Sequence, residues 1–458
     1  MNKGKNKNNN NGEYFSPIPP STLFNLTEFG EKKVEVRFSL EETSNDGGLL
    51  LLNEVDHQIG LIDRLSGCIN DFRHQGYVKH RIDSMLRQRI MQIAAGYEDA
   101  NDCNALKDDG IMKLCAHQDQ SLASQPTMCR LENLPGKREL YTMAKAFIDH
   151  FIDSYESPPG IIILDCDDTN SDTYGQQELA LFNTYYGDNC YMPLHIYEGL
   201  SGKLITTLLK PGRRSKSLNV FGILRRIIAY LREYWPDTMI IVRGDSHFCS
   251  KELMDWARDL PRVEFITGLS GNPVLTECAR VTIESAENEY NRYGKPVKRY
   301  HSFEYKAGSW TYAQRVVVKV EVSSMGTNVR YIVSSLRNVR TRALYEQGYC
   351  ARGAMELRIK DHKTYLLSDR MSCSSFWANQ FRLFLHSAAY VLIHTLQSKL
   401  LKGTEYGHAT MKTIQLKLLK VSARVKILKT KVHIELPVEF YSKWAFEQCF
   451  GMFQAMRN

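Results

Sequence analysis

The apolar positions change period several times along the chain, and each change predicts a change of element. From Val34 the stretch VEVRFSL alternates apolar and polar residues as a strand does, and GGLLLLNEVDHQIGLIDRL then spaces Leu51, Val55, Ile59 and Ile62 as a helix does. Further helices are predicted over 79–97 and 140–154, with a polar break at 108–110. At Gly160 the character turns to GIIILDCDD, a short β-branched run that ends abruptly in carboxylates. A second unit of this kind follows the helical FGILRRIIAYLREYW: the run TMIIVRGDSHF ends its strand at Asp245, and KELMDWARDL resumes a helix. Alternation of strand and helix indicates an α/β class. From about Val263 to Leu336 strands dominate, as in QRVVVKVEVSS and NVRYIVSSL, and this stretch is predicted to be a β-rich insertion. Helix returns from Leu344 to about Lys363 and again through SSFWANQFRLFLHSAAYVLIHTLQSKL, and no internal repeat is visible.

Composition narrows the class. With 458 residues, 43% hydrophobic and 24% charged, the chain can fill two or three domains. Its longest apolar stretches, 160–164 and 388–393, fall far short of the roughly 20 residues a membrane helix needs, so no membrane span is expected. The start of the chain holds Lys3, Lys5 and Lys7 among asparagines, then Pro17, Pro19 and Pro20; it lacks the apolar core of a signal peptide. Residues 1–33 are therefore expected to be a flexible polar arm and the protein to be cytoplasmic, associated with the nucleoid when bound to DNA. Eleven cysteines, an odd number with no CxxC pair, suggest reduced thiols, with neither a disulfide framework nor a zinc site.

The net charge of +8 is concentrated near the end, where eleven Lys and Arg from Lys399 onward face four Glu. A basic stripe of this kind suits a polyanion or, equally, a solvated face. Lys417, Lys420 and Arg424 are its candidate DNA contacts.

Carboxylates delivered at strand tips suit phosphodiester chemistry, in which two hard cations activate the attacking oxygen and stabilise the leaving one, held by oxygen ligands. Asp167, Asp245 and Glu356 are the candidates, although an Asp after a strand is often a turn former and a Glu in a helix is usually solvated. Strand alternation puts Asp165 and Asp167 on one side and Asp168 on the other, so Asp165 rivals Asp167 as the first acid. Tyr349, Arg352, Glu356 and Lys363 stand at spacings of 3, 4 and 7, which an ideal helix places within about a 60° arc. On such a face Arg352 can fork a phosphate, Lys363 can add a point charge and Tyr349 can stack on a base; intrahelical ion pairs are the plain alternative.

The spacing Tyr349-x2-Arg352-x3-Glu356-x6-Lys363 matches the signature of the YREK group of DDE-class bacterial insertion-sequence transposases. From about Val34 onward the chain resembles one family within that group, the insertion-sequence thirteen-eighty family. The resembling blocks are NDGGLLLLNEVDHQIGLIDRL, LRQRIMQIAAGYEDANDCNALKDD, LASQPTMCRLENL, LDCDDTNSDTYGQQE, VRGDSHF, YCARGAMELRIKDHK and FWANQFRL. One block departs from the pattern: GQQE runs into Leu179 where the family has a glycine.

The resemblance implies an RNase H-like catalytic domain over 146–395, with the β-rich insertion at about 263–340. A mainly helical DNA-binding region at 34–145 precedes it, and a basic region at 396–458, for DNA binding or dimerisation, follows. It implies that Asp167, in an Asp-x-Thr motif, Asp245 and Glu356 hold Mg2+, with Mn2+ able to substitute. The implied activity is cut-and-paste transposition: binding of terminal inverted repeats, cleavage and strand transfer to target DNA by a synaptic homodimer. Relatives pass through hairpin ends, for which Trp310 or a tyrosine of the insertion could hold a displaced base. The alternatives are an RNase H-fold nuclease without strand transfer and a domesticated, non-catalytic DNA-binding protein.

Overall fold

In the computed structural model, residues 23–29, 31–213 and 220–457 are described; Lys3, Lys5, Lys7, Pro17, Pro19 and Pro20 of the expected arm lie outside them. The chain is already in strand within that expected arm. β1 (Phe24–Phe29) pairs antiparallel with β2 (Lys32–Val36). The helices α1 (Leu49–Ile59) and α2 (Leu61–Ser66) are parted by Gly60, whose φ of 63° is the left-handed value that ends a helix and suits glycine. α3 (Ile82–Ala94) and α4 (Lys137–Asp153) follow.

The central sheet begins with β3 (Ile161–Asp168), β4 (Leu194–Glu198) and β5 (Leu204–Leu208). After α5 (Val220–Tyr234) come β6 (Met239–Gly244), α6 (Lys251–Asp259) and β7 (Val263–Leu269). These five strands lie in the order β5-β4-β3-β6-β7, with β6 parallel to β3 and β7, and β4 antiparallel to β3 and β5. Alternation along β3 sends Ile162, Leu164 and Cys166 into a core with Leu224, Ile227, Ile228 and Leu231 of α5. The intervening residues Ile163, Asp165 and Asp167 therefore face the opposite side of the sheet.

The stretch expected to be a β-rich insertion also holds a long helix. β7 belongs to the central sheet, and a helix of 21 residues, α7 (Pro273–Tyr293), comes next. Its start is capped by Asn272, which accepts from the Leu275 N–H at 2.9 Å, with Pro273 behind it; Gly294 at φ 63° ends it. Only then do β8 (Val297–Tyr305), β9 (Gln314–Ser323) and β10 (Gly326–Ser334) form a meander, and β10 pairs with β7, so the meander widens the central sheet to eight strands.

The last part of the chain does not stand apart from the first. α8 (Gly353–Lys360) and the buried α9 (Phe376–Thr395) lead to a hairpin of β11 (Ala423–Ile427) and β12 (Val432–Glu435), and then to α10 (Lys443–Arg457). One hydrophobic core holds Leu51 and Val55 of α1, Leu86 and Ile90 of α3, Phe384 and Ala388 of α9, and Phe446 and Phe453 of α10. Two buried arginines, Arg89 and Arg382, share buried Glu132 at 3.4 and 3.0 Å, and their other donors reach the backbone carbonyls of Tyr97 and Glu98, so neither guanidinium is buried without partners.

Gly48 marks the closest approach of the two ends. A Cβ there would overlap the carbonyl oxygen of Leu418 and lie 2.5 Å from the Leu419 Cα, backbone atoms that cannot swing aside. Gly48→Ala is thus expected to lower stability by about 1–3 kcal/mol, read as a shift of the urea midpoint; an unshifted midpoint would show that the contact relaxes freely. No described helix is long and apolar enough to cross a membrane.

Candidate active site

Register alone places the first two acids together. β6 runs parallel to β3 with Met239 opposite Ile161 and Arg243 opposite Asp165, and continuing that register sets Asp245 opposite Asp167 at the strand ends. Neighbouring strands lie about 4.8 Å apart, so two carboxylates meet on the face that Asp165 and Asp167 share. Asp245 is held at the turn that follows, accepting from the His247 backbone N–H at 2.8 Å, with the His247 Nδ1 at 3.3 Å from its other oxygen.

The other two acids of LDCDD are already committed. Asp165 is 1% exposed and forms a fork with Arg243, Nε to Oδ1 at 2.5 Å and Nη2 to Oδ2 at 2.6 Å. Asp168 accepts from the Lys210 Nζ with both oxygens at 2.6 Å. Among the described residues, Asp167 is held by the Arg352 Nη2 at 2.8 Å from its Oδ1 and by the Asp168 N–H, which the same oxygen accepts at 3.1 Å. Burial pushes the Asp167 carboxyl up to about 6; Arg352 pulls it back, and Asp245 and Asp168 push it further up.

Arg352 belongs to the helical stretch 341–365, which does not keep an ideal winding. Wide π-type turns at Leu344–Tyr349 and Asp361–Tyr365 and a tight turn at Cys350–Arg352 flank α8. The calculated single face therefore does not survive as such, because each change of winding rotates the residues that follow. Three of the four signature residues still reach the strand ends. The Lys363 Nζ donates to the Asn170 carbonyl at 2.6 Å and to Thr169 Oγ1 at 3.3 Å. Tyr349 is half-buried with its ring 5.9 Å from that of Tyr345. Its hydroxyl fills the space where Gly268 lacks a Cβ, since a Cβ there would be 2.9 Å from it and 3.2 Å from the Asp245 carbonyl carbon. What Tyr349 presents at the site is thus a hydroxyl beside Asp245. Glu356 is exposed, makes no ion pair with any described residue, and does not form a metal-holding group with the two aspartates among the described residues.

The remaining candidates lie elsewhere. Trp310 sits in the turn between β8 and β9, partly buried and edge-on to Tyr305 at 5.4 Å. Lys420, a candidate DNA contact, is partly exposed and paired within the chain: its Nζ lies 2.6 Å from buried Asp46 and 3.7 Å from the centre of the Tyr97 ring. Lys417 and Arg424 are exposed. The expectation missed Arg243 and Lys210. Arg243 had a signal, since it stands two residues before Asp245 on a strand and so shares its face; Lys210 had none, being 42 residues from its partner.

The Asp167 and Asp245 carboxylates fit a divalent cation in donor type, because both offer hard oxygens and their mutual repulsion is relieved by positive charge. Among the described residues, however, no group of three or more His, Cys, Asp or Glu side chains is placed to hold a metal ion, so the expected triad with Glu356 is not assembled here. The pH dependence follows from Asp167. Its folded value of about 6 exceeds the ordinary 3.8, so the stability this group contributes is complete below the ordinary value and is lost as pH rises through about 6. A cation binds the deprotonated form. Mg2+ at a hundredfold excess over its Kd is expected to stabilise the fold by about 2.7 kcal/mol near pH 7.5 and much less near pH 5. Thermal unfolding of the parent and of Asp167→Asn checks this; an equal effect of Mg2+ on both proteins would refute it.

A family model described as "Transposase DDE domain group 1" matches residues 26–458. Among solved structures the chain is similar to a piggyBac transposase synaptic complex with hairpin DNA, at 12% identity and a TM-score of 0.39 over 83% of this chain and 82% of that one. No curated protein matches.

Proposed function

The chain belongs to the DDE transposases of domain group 1, and on that premise we propose that it cleaves the ends of its own mobile element and joins them to target DNA, with Asp167, Asp245 and Glu356 as the acids. The observation that carries the site assignment is the pairing of Asp167 with Asp245 at the ends of adjacent parallel strands, while Asp165 and Asp168 are taken up by Arg243 and Lys210. We read the core as RNase H-like, because five strands in the spatial order third-second-first-fourth-fifth, the second antiparallel, carry one acid on the first strand and one after the fourth. The YREK spacing and the sequence blocks support placement in the insertion-sequence thirteen-eighty family.

Asp167 and Asp245 would hold the divalent cation, Mg2+ or Mn2+, which when bound supplies Lewis-acid activation of the attacking oxygen and charge relief at the leaving one. The chain's own groups do the rest. Arg352 keeps Asp167 oriented through its Nη2 and adds positive charge at the strand end, where a phosphate of the substrate would lie. Lys363 fixes the loop after Thr169 and adds positive charge near the strand ends. The Tyr349 hydroxyl, beside Asp245, is placed to donate to an oxygen at the same site. Glu356 would complete the set of oxygen ligands only if the helix that carries it moved towards the aspartates when DNA is bound. Binding of the end repeats falls to the helical region and the exposed cations of the last segment, and two copies bring two ends together.

The test is incubation of the protein with linear DNA bearing the element's inverted repeats, Mg2+ and a supercoiled target. Joined products are expected, and denaturing gels of the cleaved ends show whether hairpins form. Cleavage with no joining under any metal would replace the transposase reading by that of a nuclease.

A further inference from the structure

A second feature grows from the strand end that carries Asp167. Just past it the chain makes a small antiparallel sheet, in which Ser171–Asp172 and Leu181–Asn183 both pair with Asp188–Tyr191. The third of these strands runs on into β4, whose Leu194 pairs with Asp168, so both roots of the small sheet lie beside the candidate acids. It is tied down firmly. Asn183 donates to the Gly212 carbonyl at 2.7 Å and accepts from the Tyr185 N–H at 2.9 Å, and Gly187, at φ 72°, returns its N–H to the Asn183 carbonyl. At its base the Gln177 side chain donates to the Met371 carbonyl at 2.6 Å, and Glu178 accepts from the Phe376 N–H at 3.0 Å.

This rigid tip carries aromatic rings that the core does not use. Phe182 is 55% exposed, Tyr185 84% and Tyr186 41%, and the last two meet edge-on at 4.9 Å, which leaves a ring face of each open. Exposing adjacent rings on a braced hairpin forfeits burial that an ordinary surface turn would not attempt. Burial pushes the Tyr186 hydroxyl up, with Tyr185, Cys190 and then the carboxylates of Asp167 and Asp168 adding to the rise. Arg213, directly after Gly212, is exposed alongside.

We propose that residues 181–191 form a stacking platform for an unpaired nucleotide of the DNA strand that enters the candidate active site. The inference rests on the transposase reading above and deepens it. Open π-faces take any base that has left its own stack, whereas the bases of an intact duplex are already stacked on one another. The platform also lies on the first-acid side of the site, away from the insertion where Trp310 had been the expected ring.

The test uses the full chain in EDTA, so that no cleavage occurs, with a mixed-sequence single strand carrying one 2-aminopurine and the duplex made from it. The parent is expected to quench the fluorescence of the single strand. Phe182→Ala with Tyr185→Ala is expected to weaken single-strand binding about tenfold and duplex binding less than about twofold, while Tyr185→Trp keeps both. Equal quenching and affinity in parent and variant would overturn the platform. So would a variant that binds the single strand normally but sediments as a smaller species, which would assign the rings to a second copy of the chain. Cleavage by the parent in Mg2+ is scored separately: a parent that cuts and joins while the variant still stacks the base normally overturns this inference and leaves the transposase reading standing.

Discussion

Glu356→Gln protein is expected to fold and bind DNA as the parent does and to cleave it on the order of a thousandfold more slowly, since one metal ligand is worth several kcal/mol of transition-state stabilisation. The variant is informative because of where the residue sits. Glu356 is exposed on α8 and has no ion-pair partner among the described residues, so exchanging a carboxylate for an amide removes no contact in the free protein. A loss of rate at unchanged stability would then report chemistry. The measurement is single-turnover cleavage of end-bearing DNA, with the unfolding midpoint determined in parallel. A variant that cuts at the parental rate would remove Glu356 from the site, and the third acid would have to be sought elsewhere.

The second large effect is on the fold itself. Arg243→Met is expected to destabilise the protein by about 3–5 kcal/mol, because it leaves the Asp165 carboxylate buried without its partner. Asp165 is already pushed up by burial, with Arg243 as the main opposing influence, so the stranded group would take up a proton. Arg243 also donates to the Gly348 carbonyl at 2.6 Å, which fastens the stretch bearing Tyr349 and Arg352 to the sheet. Cleavage is accordingly expected to fall even where the variant stays folded. The double variant with Asp165→Leu should recover most of the stability but not the Gly348 tether, so stability and cleavage would separate. Denaturant unfolding of the single and double variants decides this; a single variant as stable as the parent would show that the ion pair contributes nothing.

Much of the site was legible because its first two acids are local events. A short β-branched run ending in LDCDD or in RGDSHF is read within one strand's length, and alternation along that strand already separated Asp168 from Asp165 and Asp167. The α7 helix was equally local: Asn272, Pro273 and Gly294 bracket it, but strand-rich flanks on either side outweighed those caps. The helix face built from Tyr349, Arg352, Glu356 and Lys363 was legible as a set but not as a geometry. The irregular winding coincides with contacts from outside that helix, Arg243 donating to the Gly348 carbonyl and Gly268 leaving room for the Tyr349 hydroxyl.

The sequence by itself determined the α/β class of the chain, many of its elements and a short set of candidate acids, since period and motif spacing depend on neighbours a few positions away. Only the tertiary structure decided which acid is available. Asp165 and Arg243 are 78 residues apart, and Lys420 and Asp46 are 374 apart, so their pairing depends on which surfaces fold against each other. Burial enforces that choice, because a charge withdrawn from water must find its partner wherever along the chain it lies. Asp167, paired through one oxygen with Arg352 and with the Asp168 N–H among the described residues, is the acid of the three in LDCDD that we propose for the cation.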